Sequence, residues 1–169
     1  MDLVVREAQE TELERIGTLT AEVYETEGLA GPEYLQVLRD ARSRWESPAT
    51  TLLAAFDDGA EEADDLLGTV VYAAPGSPWQ DLASGDEVEF RMLATAAPAR
   101  GRGVGEALVR ACIERAKKAS APRLVLSTGP QHVAAHRLYD RLGFTRQPER
   151  DWSPRTDLDL VLRAYALEL

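Results

Sequence analysis

A chain of 169 residues is long enough to bury one full hydrophobic core. Its formal charge of −10, from 29 acidic against 19 basic residues, argues against nucleic acid as a partner. No stretch approaches a membrane span, the opening MDLVVREAQE is too charged for a signal peptide, and the lone Cys112 cannot form an internal disulfide, so a cytoplasmic protein without membrane contact is expected.

In chain order, LVVR at residues 3 to 6 reads as a short strand. Thr11 and Glu14 form a capping box that opens a helix running to about residue 27, with Leu13, Ile16, Leu19 and Val23 recurring at helical spacing. A second helix starts at Pro32, a favoured first-turn position, carries Leu35, Leu38 and Trp45 as its buried stripe, and ends near Ser47-Pro48. TTLLAAF and LLGTVVYAA are apolar runs joined by the acidic DDGAEEADD and read as neighbouring antiparallel strands with a solvated tip. A loop at residues 75 to 86 leads to EVEFRMLAT. Alternation along that strand places Glu87, Glu89 and Arg91 on one face and Val88, Phe90 and Met92 on the other.

The next stretch, APARGRGVGEALVRACIERA, carries the strongest chemical signal. A glycine turn studded with Arg100 and Arg102 runs straight into an amphipathic helix, so free backbone N–H groups and the positive helix end converge on one spot suited to an anion, phosphate above all. Charge distribution agrees: residues 100 to 123 hold seven Arg or Lys against Glu106 and Glu114, a local +5 in a chain of −10. A nucleotide-triphosphate loop would need Lys followed by Ser or Thr where Glu106 and Ala107 stand, and a dinucleotide fingerprint would lie earlier in the chain with another glycine at 106. Cys112 falls in the helix after the turn and reads as a small core residue.

Beyond it, RLVLST reads as a buried strand bounded by Pro122 and Gly129-Pro130, and QHVAAHRLYDRLGF as a helix with Gly143 at its stop. FTRQPE and DLDLVLRAYALEL read as closing strands around a loop with Trp152, Ser153 and Pro154, Leu158, Leu160 and Leu162 alternating with Asp157, Asp159 and Val161. His132 and His136, four apart with no third ligand, make a poor metal site, and no metal is expected; His136 reads as a surface residue.

Arg100-Gly101-Arg102-Gly103-Val104-Gly105 matches every fixed position of the pyrophosphate turn Gln/Arg-x-x-Gly-x-Gly/Ala, and the chain here resembles the GCN5-related N-acetyltransferase family. Ala135, Leu138, Tyr139, Gly143 and Phe144 match a second family segment, Asn-x-x-Ala-x-x-Leu-Tyr-x-x-x-Gly-Phe, with His132 standing where Asn is usual. The resemblance implies an α/β, single-domain acyl-CoA N-acyltransferase fold over residues 1 to 169: a mixed, mostly antiparallel sheet with a splayed central strand pair and about four flanking helices. It implies acetyl coenzyme A as cofactor, its pyrophosphate held by Arg100, Gly101, Arg102, Gly103, Val104, Gly105 and Glu106. Leu93, Ala94 and Thr95 fall where the family strand bulges and pairs with the pantetheine arm, and His132 can replace the usual Asn contact. Tyr139 falls beside the coenzyme sulfur and Glu89 at a family position for the general base. The expected reaction is acetyl transfer to a primary amine of a small molecule or peptide by direct attack. Tyr24, Glu25, Glu27, Tyr34 and Trp152 are offered by the acceptor-selecting segments, an acidic and aromatic lining suited to a cationic amine. Another acyl donor, or a module that holds acyl coenzyme A without turnover, are the alternatives; the family often dimerises, and nothing in the sequence decides this.

Overall fold

A computed structural model describes residues 1–62, 64–154 and 159–169. Seven strands form one sheet in the order β1-β2-β3-β4-β5-β7-β6: β1 (Leu3–Glu7), β2 (Thr50–Asp57), β3 (Leu66–Ala73), β4 (Val88–Thr95), β5 (Arg123–Thr128), β6 (Thr145–Arg146) and β7 (Arg163–Glu168). All neighbours are antiparallel except β4 and β5. Helices α1 (Leu13–Thr26), α2 (Pro32–Arg39) and α3 (Ala41–Trp45) cover one face, and α4 (Val104–Lys118) and α5 (Val133–Arg141) the other.

Two cores follow from this layering. Leu13, Ile16, Leu35 and Leu38 pack on Leu52, Phe56, Val71 and Met92 on the first face. Val104, Leu108, Cys112 and Tyr139 pack on Leu53, Val70, Phe90 and Leu124 on the second. Cys112 is fully buried, as its apolar setting predicts, and burial pushes its thiol up to about 12.

Several local readings need correction. The chain enters α1 through a 3-10 turn at Glu10–Glu12, so the capping pair is not Thr11 with Glu14; Glu12 reaches back to the Gln9 N–H at 2.7 Å. The helix expected to run from Pro32 to Ser47 is broken at Asp40, whose backbone leaves the helical region and whose carboxylate caps Ser43 N–H at 3.1 Å. That gives five helices among the described residues rather than about four. The last strand begins at Arg163; Asp157 and Leu158 lie outside the described residues, and Leu162 pairs with Trp152 in a single bridge.

The alternation of β4 also breaks. Met92 has φ 55°, and Arg91 pairs with Val71 while Ala94 pairs with Thr69, so β4 carries one extra residue opposite β3. This bulge turns Met92 into the core under α1 and α2, whereas Phe90 faces α4 and α5.

Candidate active site at the splayed strands

β4 and β5 run parallel but share only two register pairs, Val88 with Leu124 and Glu89 with Val125. From Phe90 onward the strands part, and the β5-facing edge of β4 has no ladder partner through Leu93, Ala94 and Thr95. A cleft therefore opens at the carboxyl ends of two parallel strands, where α/β sheets characteristically receive ligands. The glycine turn and α4 follow β4 on one side; residues 129 to 132 and α5 follow β5 on the other.

The turn is built as its sequence suggests. Gly101 has φ 73° and Gly103, the N-cap of α4, has φ 82°, conformations that strain any side-chain-bearing residue, and a Cβ added at either would meet no atom within 4 Å. The backbone is thus held open to a ligand rather than filled by the protein. Val104 is buried beneath it, and the Glu106 carboxylate is held by Arg110 at 2.8 Å and Arg141 at 2.7 Å, tying α4 to α5. Arg100 and Arg102 are exposed. The Arg100 guanidinium lies 3.0 Å from Glu27, and Glu27 is also 3.9 Å from His132 Nδ1. Burial lowers the pKa of His132, against the pull of Glu27.

Tyr139, on α5, belongs to the core on this face and is 4 % exposed. Its ring packs 5.9 Å from Phe90, 5.7 Å from Phe144 and 5.7 Å from Tyr165, centroid to centroid. Its hydroxyl has no hydrogen-bond partner among the described residues, and burial, with Cys112 and Tyr165 nearby, raises its pKa. His136, expected at the surface, is instead half-buried: Nε2 lies 3.0 Å from the Gly129 carbonyl and the ring stacks on Tyr165. The second histidine thus shapes the turn after β5.

Glu89 is the most altered of the expected residues. It is fully buried, and its Oε1 accepts three backbone N–H groups, from Asp81 at 3.0 Å, Leu82 at 2.8 Å and Ala83 at 2.9 Å. Its Oε2 has no partner among the described residues. Burial raises the pKa and outweighs the three N–H bonds and Arg91, which lower it. Glu89 therefore anchors the loop before β4 while keeping one oxygen unused.

On the other face, Tyr24 and Tyr34 meet edge to face at 6.3 Å, and Arg91 donates to the Tyr34 hydroxyl at 3.3 Å and the Trp79 carbonyl at 3.0 Å while pairing with Asp81. Burial raises the pKa of Tyr24, helped by the neighbouring Tyr34 and Tyr139. Glu25 is exposed and faces Arg39 at 3.9 Å rather than the two tyrosines. Trp152 reaches β5, its Nε1 donating to Ser127 Oγ at 2.8 Å. Arg91 was the residue not singled out for this pocket, although alternation put it on the face of Glu89.

A family model described as Acetyltransferase (GNAT) family matches residues 13–144, and the chain belongs to this family. An N-acetylaspartate synthetase from Danio rerio is 36 % identical over 86 residues, 51 % of this chain and 29 % of that protein. A mycothiol acetyltransferase from Cellulomonas flavigena is 34 % identical over 113 residues, 63 % of this chain and 31 % of that protein. The chain thus matches about a third of the length of these curated relatives. The structure of yncA from Salmonella typhimurium, solved with acetyl-CoA, superposes with a TM-score of 0.68 at 17 % identity, covering all of this chain and 95 % of that one. No helix among the described residues is long and apolar enough to cross a membrane.

Proposed function

We propose that residues 1–169 form one N-acetyltransferase unit, acting in the cytoplasm, that moves the acetyl group of acetyl coenzyme A to a primary amine inside a ternary complex. The observation that carries this reading is the parting of β4 and β5 after two register pairs, with an open, cationic glycine turn following β4. Arg100, Gly101, Arg102, Gly103, Val104, Gly105 and Glu106 would hold the pyrophosphate, Leu93, Ala94 and Thr95 the pantetheine arm through their unpaired backbone, and His132 the arm beside α5. The coenzyme supplies an activated acetyl thioester.

The acceptor arrives as an ammonium, and deprotonation near pH 7 costs roughly 4 to 5 kcal/mol for a group with pKa about 10.4. Glu89 takes that proton, through water, on its unused Oε2; its raised pKa makes it a better base than an exposed carboxylate. With the coenzyme bound, the neutral amine nitrogen would bond to the acetyl carbonyl carbon as the carbon–sulfur bond breaks, the remaining amine proton going to the thiolate. Tyr139, with its pKa raised further above that of a thiol, hydrogen-bonds to the departing sulfur rather than surrendering its proton. Tyr24, Tyr34 and Trp152 border the acceptor. Glu25, turned to Arg39, contributes charge at a distance.

A second reading, a coenzyme-holding module without turnover, draws on the sealing of Glu89 beneath residues 81 to 83. Free-thiol release from acetyl coenzyme A, measured against polyamines, aminoglycosides, amino acids and peptide N-termini, separates the two. Transfer predicts turnover with one acceptor class and a fall of about 10- to 100-fold in kcat for Tyr139→Phe, the worth of one hydrogen bond to a charged group. Glu89→Gln keeps the anchoring oxygen, so a kcat loss there with unchanged stability marks the base. Coenzyme binding without thiol release on any acceptor, unchanged in Tyr139→Phe, supports the module.

A further inference from the structure

Among the charged side chains around the cleft, Glu27 touches both of its walls. It forms the C-cap of α1, on the acceptor side. One carboxylate oxygen lies 3.0 Å from Arg100, on the turn after β4, and the other 3.9 Å from His132 Nδ1, at the N-cap of α5 after β5. The backbone beneath it is fixed, since Glu27 N–H bonds to the Val23 carbonyl at 3.1 Å and Leu29 N–H to the Tyr24 carbonyl at 2.8 Å. Glu27 thus spans the mouth as an anion paired with Arg100, a group that an incoming diphosphate would use, and close to His132, which would face the coenzyme arm.

We propose that Glu27 is a carboxylate latch that occupies Arg100 and His132 in the free protein and is displaced by the phosphates of coenzyme A. This rests on the coenzyme reading above. The ion pair is half-exposed, 45 % for the Arg100 side chain and 34 % for Glu27, so water screens it and it yields to a competitor. A diphosphate is such a competitor, because it brings more charge and can engage a guanidinium through two oxygens. Exchange has a consequence on the acceptor side. Released from Arg100, the carboxylate remains at the end of the helix that carries Tyr24, where it can meet an acceptor ammonium only after the coenzyme is in place. Glu27 thereby lowers affinity for the coenzyme and sets the order of binding.

The test is calorimetric titration of wild type and Glu27→Gln with coenzyme A and, separately, with its nucleotide end, 3′-phosphoadenosine 5′-diphosphate. The latch predicts that Glu27→Gln binds both probes roughly three- to tenfold more tightly, the scale of one exposed ion pair released from Arg100. It also predicts that the gain disappears in an Arg100→Ala background. Equal or weaker binding by Glu27→Gln, a gain that survives Arg100→Ala, or a gain confined to the full coenzyme each overturns the latch. Folded wild type and Glu27→Gln that bind neither probe at millimolar concentration overturn the coenzyme reading itself.

Discussion

Arg44 shows how one side chain can decide whether helices α1 to α3 hold together. It is fully buried, and its guanidinium donates to the carbonyls of Val37 at 2.9 Å and Leu38 at 3.0 Å, at the end of α2, with no partner for Nε among the described residues. Burial drives its pKa down to about 10, while Tyr34 and Asp40 hold it up. The charge is expensive, but its bond to the carbonyl of the fully buried Leu38 is itself buried and is lost with it. A buried carbonyl without a donor costs about 1 to 3 kcal/mol. Arg44→Met, close in volume, should therefore lose about 2 to 4 kcal/mol in urea unfolding despite removing a buried charge. A variant as stable as wild type would mean that the lone cation costs as much as its hydrogen bonds return.

At the scale of elements, what sequence reading found and missed divides along a physical line. Strands β2, β3 and β5 follow from apolar runs, and the glycine turn from residues whose backbone geometry has few alternatives. The break between α2 and α3 was hidden because Asp40 continues a helical pattern until its side chain caps Ser43. The face of Met92 was misread because a bulge adds one residue without changing composition, and His136 because its partners, Gly129 and Tyr165, are remote or local only in three dimensions. Glu89 reads in sequence as a general base, and its bonds to residues 81 to 83 depend on a loop that no spacing rule describes. The packing of α1 on α2 is similarly invisible in sequence and testable in structure. At Gly17 an added Cβ would fall 2.0 Å from the Arg39 carbonyl oxygen, a backbone atom that cannot step aside alone. Alanine would gain about 1 kcal/mol of helix propensity. Overpacking at this distance outweighs that gain, so Gly17→Ala should destabilise the protein by about 1 to 3 kcal/mol in urea unfolding. Added stability would show instead that α2 can move away freely.

For the whole molecule, the cleft between β4 and β5 is also the seam along which the sheet is weakest. Strands β1 to β4 and strands β5 to β7 meet through only two register pairs, so something other than the ladder must hold the closed end. Glu87, the residue before β4, supplies it. Its side chain is 4 % exposed and accepts from Arg150 at 2.8 Å, beyond α5, from Arg123 at 2.9 Å, at the start of β5, and from Ser84 N–H at 3.0 Å. Burial alone would raise the pKa of this carboxyl, but the bonds from Arg150 and Arg123 prevail and hold it at about 2, against an ordinary 4.5. A carboxyl whose pKa is lower in the folded state contributes stability that is full above pH 4.5 and is lost as pH falls toward 2. The shift corresponds to about 3 kcal/mol at most, since the arginines are partly solvated. Urea unfolding of wild type and Glu87→Gln at a series of pH values should therefore show a gap of about 2 to 3 kcal/mol at pH 7 that narrows steadily below about pH 4.5. A gap independent of pH would assign the loss to packing of the side chain, and would leave the two half-sheets held by their hydrophobic faces rather than by this clasp.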